Sequence, residues 1–293
     1  MSGKRARRAL WMSLGVAVAA ATAHADAPST ISDYAKARSS FTTKLTRRGP
    51  APQEGEALAA PPGASMIHYG RGGQLAAFVS THSGVAARAP VVVFLHGGFA
   101  WGREDWDLIE PYREAGFVTV MPVLRGENGQ SGAFSFFYDE VDDVVSAVDA
   151  VAALPAVDES RLFLAGHSAG GTLALLASQV SPRLRAVASF SGSPNQAAFI
   201  PQYLEITPFD ANDRRELIMR SPNQFPSSFL APVRAYFGSD EAWFARESSA
   251  LARQAQAARC DVHALAVPGD HFSALPEEIR RSIAFFRSQL PAR

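Results

Sequence analysis

A single cysteine, Cys260, stands in 293 residues, which excludes an internal disulfide and a zinc site built on a cysteine cluster. At the end of a helical pattern it reads as a core filler rather than a nucleophile. Charge is scarce as well. Only 19% of residues are charged, and 28 basic residues balance 28 acidic ones, so the chain lacks the electrostatic footprint that nucleic acid requires. Long apolar runs are missing too. The longest, Ala9 to Ala23, falls short of the roughly 20 residues a membrane span needs. There is no phosphate loop, no metal-ligand cluster and no nucleotide fingerprint, so no cofactor is expected. The acidic run Asp139, Glu140, Asp142 and Asp143 reads as charge on a helix's first turn, not as a metal site.

What the chain does have is 47% apolar residues, enough for one large core. The basic Lys4-Arg5-Ala6-Arg7-Arg8, the short apolar run and Ala23-His24-Ala25 follow the order of a secretory signal peptide, with cleavage expected after Ala25. That predicts a periplasmic or secreted protein with no stable membrane span once residues 1–25 are removed. Residues 26–63, rich in Pro, Ala, Ser and Gly, read as an N-terminal arm and linker, docked or loose, with a short helical pattern at Ile31, Tyr34, Phe41 and Leu45.

Residues 64–293 alternate strand and helix. Ser65–Tyr69 and Gln74–Ser80 predict a hairpin, and the unbroken β-branched run Val91–Leu95 predicts a strand buried on both faces. Further strands are expected at Phe117–Leu124, Arg161–Ala165, Leu184–Phe190, Val233–Phe237 and Val262–Val267. Helices are expected at Arg103–Ala115, Asp139–Leu154, Gly170–Val180, Ala242–Arg259 and Pro276–Leu290. This is an α/β pattern with a mostly parallel sheet covered by helices on both faces. The proline-rich stretch 193–231 interrupts it and reads as a small cap insertion.

Gly166-His167-Ser168-Ala169-Gly170 fits G-x-S-x-G, and its position between a strand and a helix suits a tight turn that presents Ser168 above the sheet edge. A serine hydroxyl needs a base, and the base needs an acid to hold its tautomer. His271, in a short loop after the last strand, is the expected base. His96 and His167 are expected to shape their turns, and His263 to sit within its strand. Asp240, just past the Val233–Phe237 strand, is the expected acid, with Glu241 its main rival; Asp270 is too near His271 to orient it easily. The oxyanion hole is expected from the Ala169 N–H and from Gly98, or else Phe99, in the turn after Leu95. Phe99 and Trp101, with Phe134, Phe136, Phe137 and Tyr138, either line a substrate pocket or pack under the cap.

Together His96-Gly97-Gly98, Gly166–Gly171, Gly238–Asp240 and Asp270-His271 resemble the α/β-hydrolase superfamily. Gly166-His167-Ser168-Ala169-Gly170-Gly171 and Arg125-Gly126 are similar to the prolyl oligopeptidase (S9-type) catalytic domain and its dipeptidyl- and acylaminoacyl-peptidase relatives. The resemblance spans Gln74 to Leu290. It implies a serine hydrolase acting on a small ester or peptide through an acyl-enzyme. The sequence departs from that group in Phe99, in Arg125-Gly126-Glu127, and in lacking the length for the β-propeller those peptidases carry, so an esterase or dienelactone-hydrolase-like enzyme fits equally. The alternatives are a ligand-binding protein on the same fold and an acyltransferase. The oligomeric state is not legible.

Overall fold

The computed structural model describes residues 33–81 and 88–290. The expected signal peptide at 1–25 lies outside the described residues, as does His82. From the arm onward the chain runs α1 (Tyr34–Ser39), β1 (Ala64–Tyr69), β2 (Leu75–Ser80), β3 (Ala89–Leu95), α2 (Arg103–Leu108), α3 (Glu110–Glu114) and β4 (Val118–Pro122). It continues through α4 (Glu140–Ala152), β5 (Val157–His167), α5 (Ala169–Ser178), β6 (Leu184–Phe190), α6 (Gln196–Phe199) and α7 (Arg214–Ile218). The last elements are β7 (Val233–Gly238), α8 (Ala242–Ala257), β8 (Val262–Val267) and α9 (Leu275–Ser288).

The strands form one eight-stranded sheet in the order β1-β2-β4-β3-β5-β6-β7-β8. Here β2 runs antiparallel to both β1 and β4, while β4, β3 and β5 to β8 are mutually parallel, as an alternation of strands and crossover helices requires. This is the α/β-hydrolase fold expected from the sequence.

The inner strands are apolar on both faces because helices cover both. Val91 to Phe94 and Leu162 to Ala165 are fully buried. One side of the sheet meets Trp101, Trp106, Tyr112 and the α9 residues Ile279 and Phe286. Val144, Val148 and Val151 of α4 and the whole of α5 are also buried. The single helix expected over Arg103–Ala115 breaks at Ile109 into α2 and α3, where Pro111 at the start of α3 supplies no backbone donor. Cys260 is only partly buried, past the end of α8, rather than a core filler.

The insertion at 193–231 holds α6, α7 and two 3₁₀ turns, Ile200–Gln202 and Pro222–Gln224. The arm is docked on it. Tyr34 is fully buried, with its hydroxyl donating to the Met219 carbonyl at 2.8 Å and its N–H donating to Ser228 Oγ at 3.0 Å. Leu45 bridges to Phe209, and the Thr46 N–H donates to the Pro208 carbonyl. Beneath this contact the Arg220 guanidinium is wholly buried. It donates to Glu216 Oε2 at 2.5 Å, to Thr43 Oγ1 and to the carbonyls of Ser135 and Phe136. It also lies 3.8 Å from the centre of the Phe209 ring. Arm, cap and the loop before α4 therefore share one buried cation.

Candidate active site

The parallel strands end in register: Leu95 pairs with Gly166, His167 with Phe190, and Gly238 with Val267. The loops that follow β3, β5, β7 and β8 therefore emerge at one sheet edge. In an open α/β sheet this carboxyl edge is where ligands bind.

Ser168 sits between β5 and α5 with φ 55° and ψ −113°, a strained conformation for a residue with a Cβ. The turn is possible only because its neighbours are glycines. A Cβ on Gly166 would lie 2.3 Å from the Gly170 carbonyl oxygen, and one on Gly170 would lie 2.2 Å from that of Leu95. The backbone is pinned on both sides of the serine, with Ser168 N–H donating to the Phe190 carbonyl and Thr172 N–H to the Ser168 carbonyl. Ala169 opens α5, so its N–H belongs to the helix's unsatisfied first turn, where partial positive charge collects.

His271 meets Glu241, not Asp240. Its Nδ1 lies 2.6 Å from Glu241 Oε1. A carboxylate only accepts, so Nδ1 carries the proton and Nε2 is left as the ring's acceptor in the neutral form. Glu241 Oε2 accepts from the Gly238 N–H at 2.8 Å and from the Ser191 hydroxyl at 2.5 Å, which fixes the carboxylate. Asp240 is exposed, and among the described residues its side chain accepts only from its neighbour Ser239, at 3.1 Å. The expectation for Asp240 is thus corrected. β7 ends at Gly238 in a turn closed by the Glu241 N–H on the Gly238 carbonyl, which carries position 241 back over the sheet while 240 faces outward. Ser191, held at φ 46°, was not anticipated; no motif marks it. Asp270 caps its own loop, accepting from the backbone of Phe272 and Ser273.

His167 touches the same histidine from below. Its Nε2 donates to the His271 carbonyl at 2.9 Å, with ring centres 4.8 Å apart. Burial, helped by the neighbouring His271, depresses His167 to about 3, so it stays neutral. His96 is buried with Nε2 3.1 Å from Glu127 Oε2. Burial pulls its pKa down, but the Glu127 carboxylate more than offsets this and raises it to about 9. Both histidines brace turns.

The turn after β3 is tied by side-chain oxygens. The Phe99 N–H donates to Gln53 Oε1 at 2.5 Å, Trp101 N–H to Asn128 Oδ1 at 2.8 Å, and Gly102 N–H to Asp105 Oδ2 at 2.8 Å. Gln53 comes from the stretch read as a linker. Beside the turn lies a small apolar cavity of about 10 Å³, room for about one water-sized group. Its lining includes Gly98, Phe99, Phe134, Phe137, Ala169 and Leu173. Phe136 and Phe137 both have positive φ, 57° and 76°, and Arg220 holds the carbonyl of Phe136. Of the two readings left open for Trp101, the structure takes packing: its ring lies against Phe78 in the core, with ring centres 4.6 Å apart.

Solved structures with the same fold include a Mycobacterium tuberculosis puromycin-hydrolyzing peptidase at 21% identity and TM-score 0.65, matched over 78% of this chain and 39% of that one. The Pyrococcus horikoshii acylaminoacyl peptidase matches at 17% identity and TM-score 0.63, over 78% and 42%. Est1E from Butyrivibrio proteoclasticus matches at 19% identity and TM-score 0.58, over 78% and 98%. The chain thus spans about two fifths of the length of these peptidases but nearly the whole of Est1E. No curated protein sequence matches it. The sequence profile of the Alpha/beta hydrolase family matches residues 92–285, from within β3 into α9, and the chain belongs to that family.

Proposed function

We propose that the protein is a serine hydrolase that cleaves a small ester or amide through an acyl-enzyme. The observation that carries this reading is the 2.6 Å contact between His271 and Glu241 at the sheet edge that also presents the strained Ser168. Ser168 Oγ attacks the carbonyl carbon while His271 Nε2 takes the hydroxyl proton. Glu241 steadies the imidazolium that results. The tetrahedral oxygen is received by the Ala169 N–H and the N–H of Gly98. When the intermediate collapses, His271 returns the proton to the leaving alcohol or amine. Water, deprotonated by the same ring, then frees the acid and restores Ser168. The cavity beside Gly98 and Ala169 suits a short apolar group. The sequence order of residues 1–25 supports export of the protein, with this chemistry outside the cytoplasm.

Intact mass after incubation with a fluorophosphonate tests the reading. A single adduct that disappears in Ser168→Ala is expected, followed by turnover of p-nitrophenyl acetate. Folded protein that takes up no label would overturn it in favour of a ligand-binding role; rapid transfer to an added alcohol in place of hydrolysis would make the enzyme an acyltransferase.

A further inference from the structure

The turn after β3 holds a regularity that the hydrolase reading leaves unused. Of its backbone donors, Phe99, Trp101 and Gly102 each spend their N–H on a side-chain oxygen, from Gln53, Asn128 and Asp105. Among the described residues the Gly98 N–H donates to none. Gly98 has φ 73°, and a Cβ there would lie 2.6 Å from Gln53 Oε1. The Gln53 amide is therefore packed directly over the Gly98–Phe99 peptide, where a Cβ would push it aside, and the positive φ itself favours glycine. The segment that carries Gln53 is anchored on both sides of it. The Ala51 N–H donates to the Gly126 carbonyl, and Asn128 Nδ2 donates to the carbonyls of both Glu56 and Trp101. Asn128 thus grips the arm and the turn at once.

We propose that Gln53 is a positioning residue of the oxyanion turn. By accepting the Phe99 N–H it takes that donor out of use and fixes the peptide plane next to Gly98, so that the Gly98 N–H stays available to the developing oxyanion. This rests on the serine-hydrolase reading above. It assigns a role in catalysis to a residue of the N-terminal arm that does not itself touch substrate. The physical reason is preorganisation: a donor helps only if it already points at the charge that forms, and a turn rich in glycine needs outside support to hold such a pose.

Gln53→Met keeps the length of the side chain and deletes the acceptor. With p-nitrophenyl acetate, kcat should fall about tenfold while KM stays within about twofold, because the lost alignment matters in the transition state and little in substrate binding. Thermal unfolding should stay close to wild type. Amide hydrogen exchange, read by mass spectrometry on peptides covering Phe99, should accelerate in the variant; this readout does not depend on turnover. Unchanged exchange would overturn the proposal, as would an unchanged kcat. A rise in kcat would also overturn it, since Gln53 would then be an obstruction that substrate displaces. Wild type that fails to label at Ser168, with faster exchange in Gln53→Met, would instead sink the hydrolase reading and with it the catalytic role, while leaving Gln53 as the support of the turn.

Discussion

Glu241 Oε1 lies 2.6 Å from His271 Nδ1, and the residue before it in the chain, Asp240, faces solvent. The two acids differ by one position and one methylene, yet only Glu241 meets the His271 ring. Glu241→Gln should lower kcat by about 10³- to 10⁴-fold, because an amide neither fixes the Nδ1–H tautomer nor stabilises the imidazolium. Asp240→Asn should stay within about twofold of wild type. Side-by-side kinetics on p-nitrophenyl acetate would settle the assignment, and the reverse ranking would restore Asp240.

The glycines around Ser168 are required by space as much as by backbone angle. Gly170→Ala would press a methyl to 2.2 Å from the Leu95 carbonyl oxygen and 2.6 Å from that of His96, both backbone atoms of the central strand and its turn. A loss of about 2–3 kcal/mol in stability is expected, with the active site distorted. Gly129→Ala, at φ 78° but with open space around it, should cost only about 1 kcal/mol. Urea denaturation compares the two.

Arg220 is the buried tie among arm, cap and the Phe136 loop. Arg220→Met should destabilise the fold by about 3–5 kcal/mol, because Glu216 would keep its charge in the interior with its ion-pair partner gone. Combining it with Glu216→Gln should recover part of the loss. Equal urea midpoints for the single and double variants would contradict this account.

Glu278 on α9 is buried, and neither carboxyl oxygen has a hydrogen-bond partner among the described residues. Burial, reinforced by the charge of Glu241, raises it to about 8. Its folded-state value is raised, so the fold holds a proton that the unfolded chain releases above the ordinary glutamate value near 4.5. The stability it confers is therefore complete below that value and is lost as pH rises through about 8. Glu278→Gln should flatten this part of the stability–pH curve and be more stable than wild type at pH 9 by a few kcal/mol. Parallel slopes between pH 5 and 9 would refute the assignment.

The sheet was legible in the sequence because its inner strands are unbroken apolar runs set between helices of clear period. Val91–Leu95 is such a run, rich in β-branched residues, and Leu184–Phe190 is broken only by Arg185 and Ser189. Ser168 and His271 were legible because a glycine-framed serine and a histidine just past the last strand each occupy a distinctive local setting. Glu241 was not separable from Asp240, since neighbouring residues in a turn point in different directions and only the turn's closure decides which faces inward. Ser191 and Gln53 carried no local signal at all. Their roles come from partners 50 and 46 residues away, which spacing along one chain does not display. Whether Trp101 lined a pocket or packed in the core stayed open for a related reason: an apolar residue beside a motif reads alike whether it faces a pocket or the sheet.

The docked arm also sets an order of events. Tyr34 finds its partners Met219 and Ser228 at separations of 185 and 194 residues, and Thr43 finds Glu216 at 173. A ribosome makes the arm before its receptor, so the arm waits while more than a hundred and seventy residues are added before its surface exists. Contacts of such long range are slow to form because a large loop must be closed before they contribute. Until then Gln53 has no fixed place over the turn after β3, and under the proposed function a chain otherwise folded would remain a poor catalyst until the arm attaches.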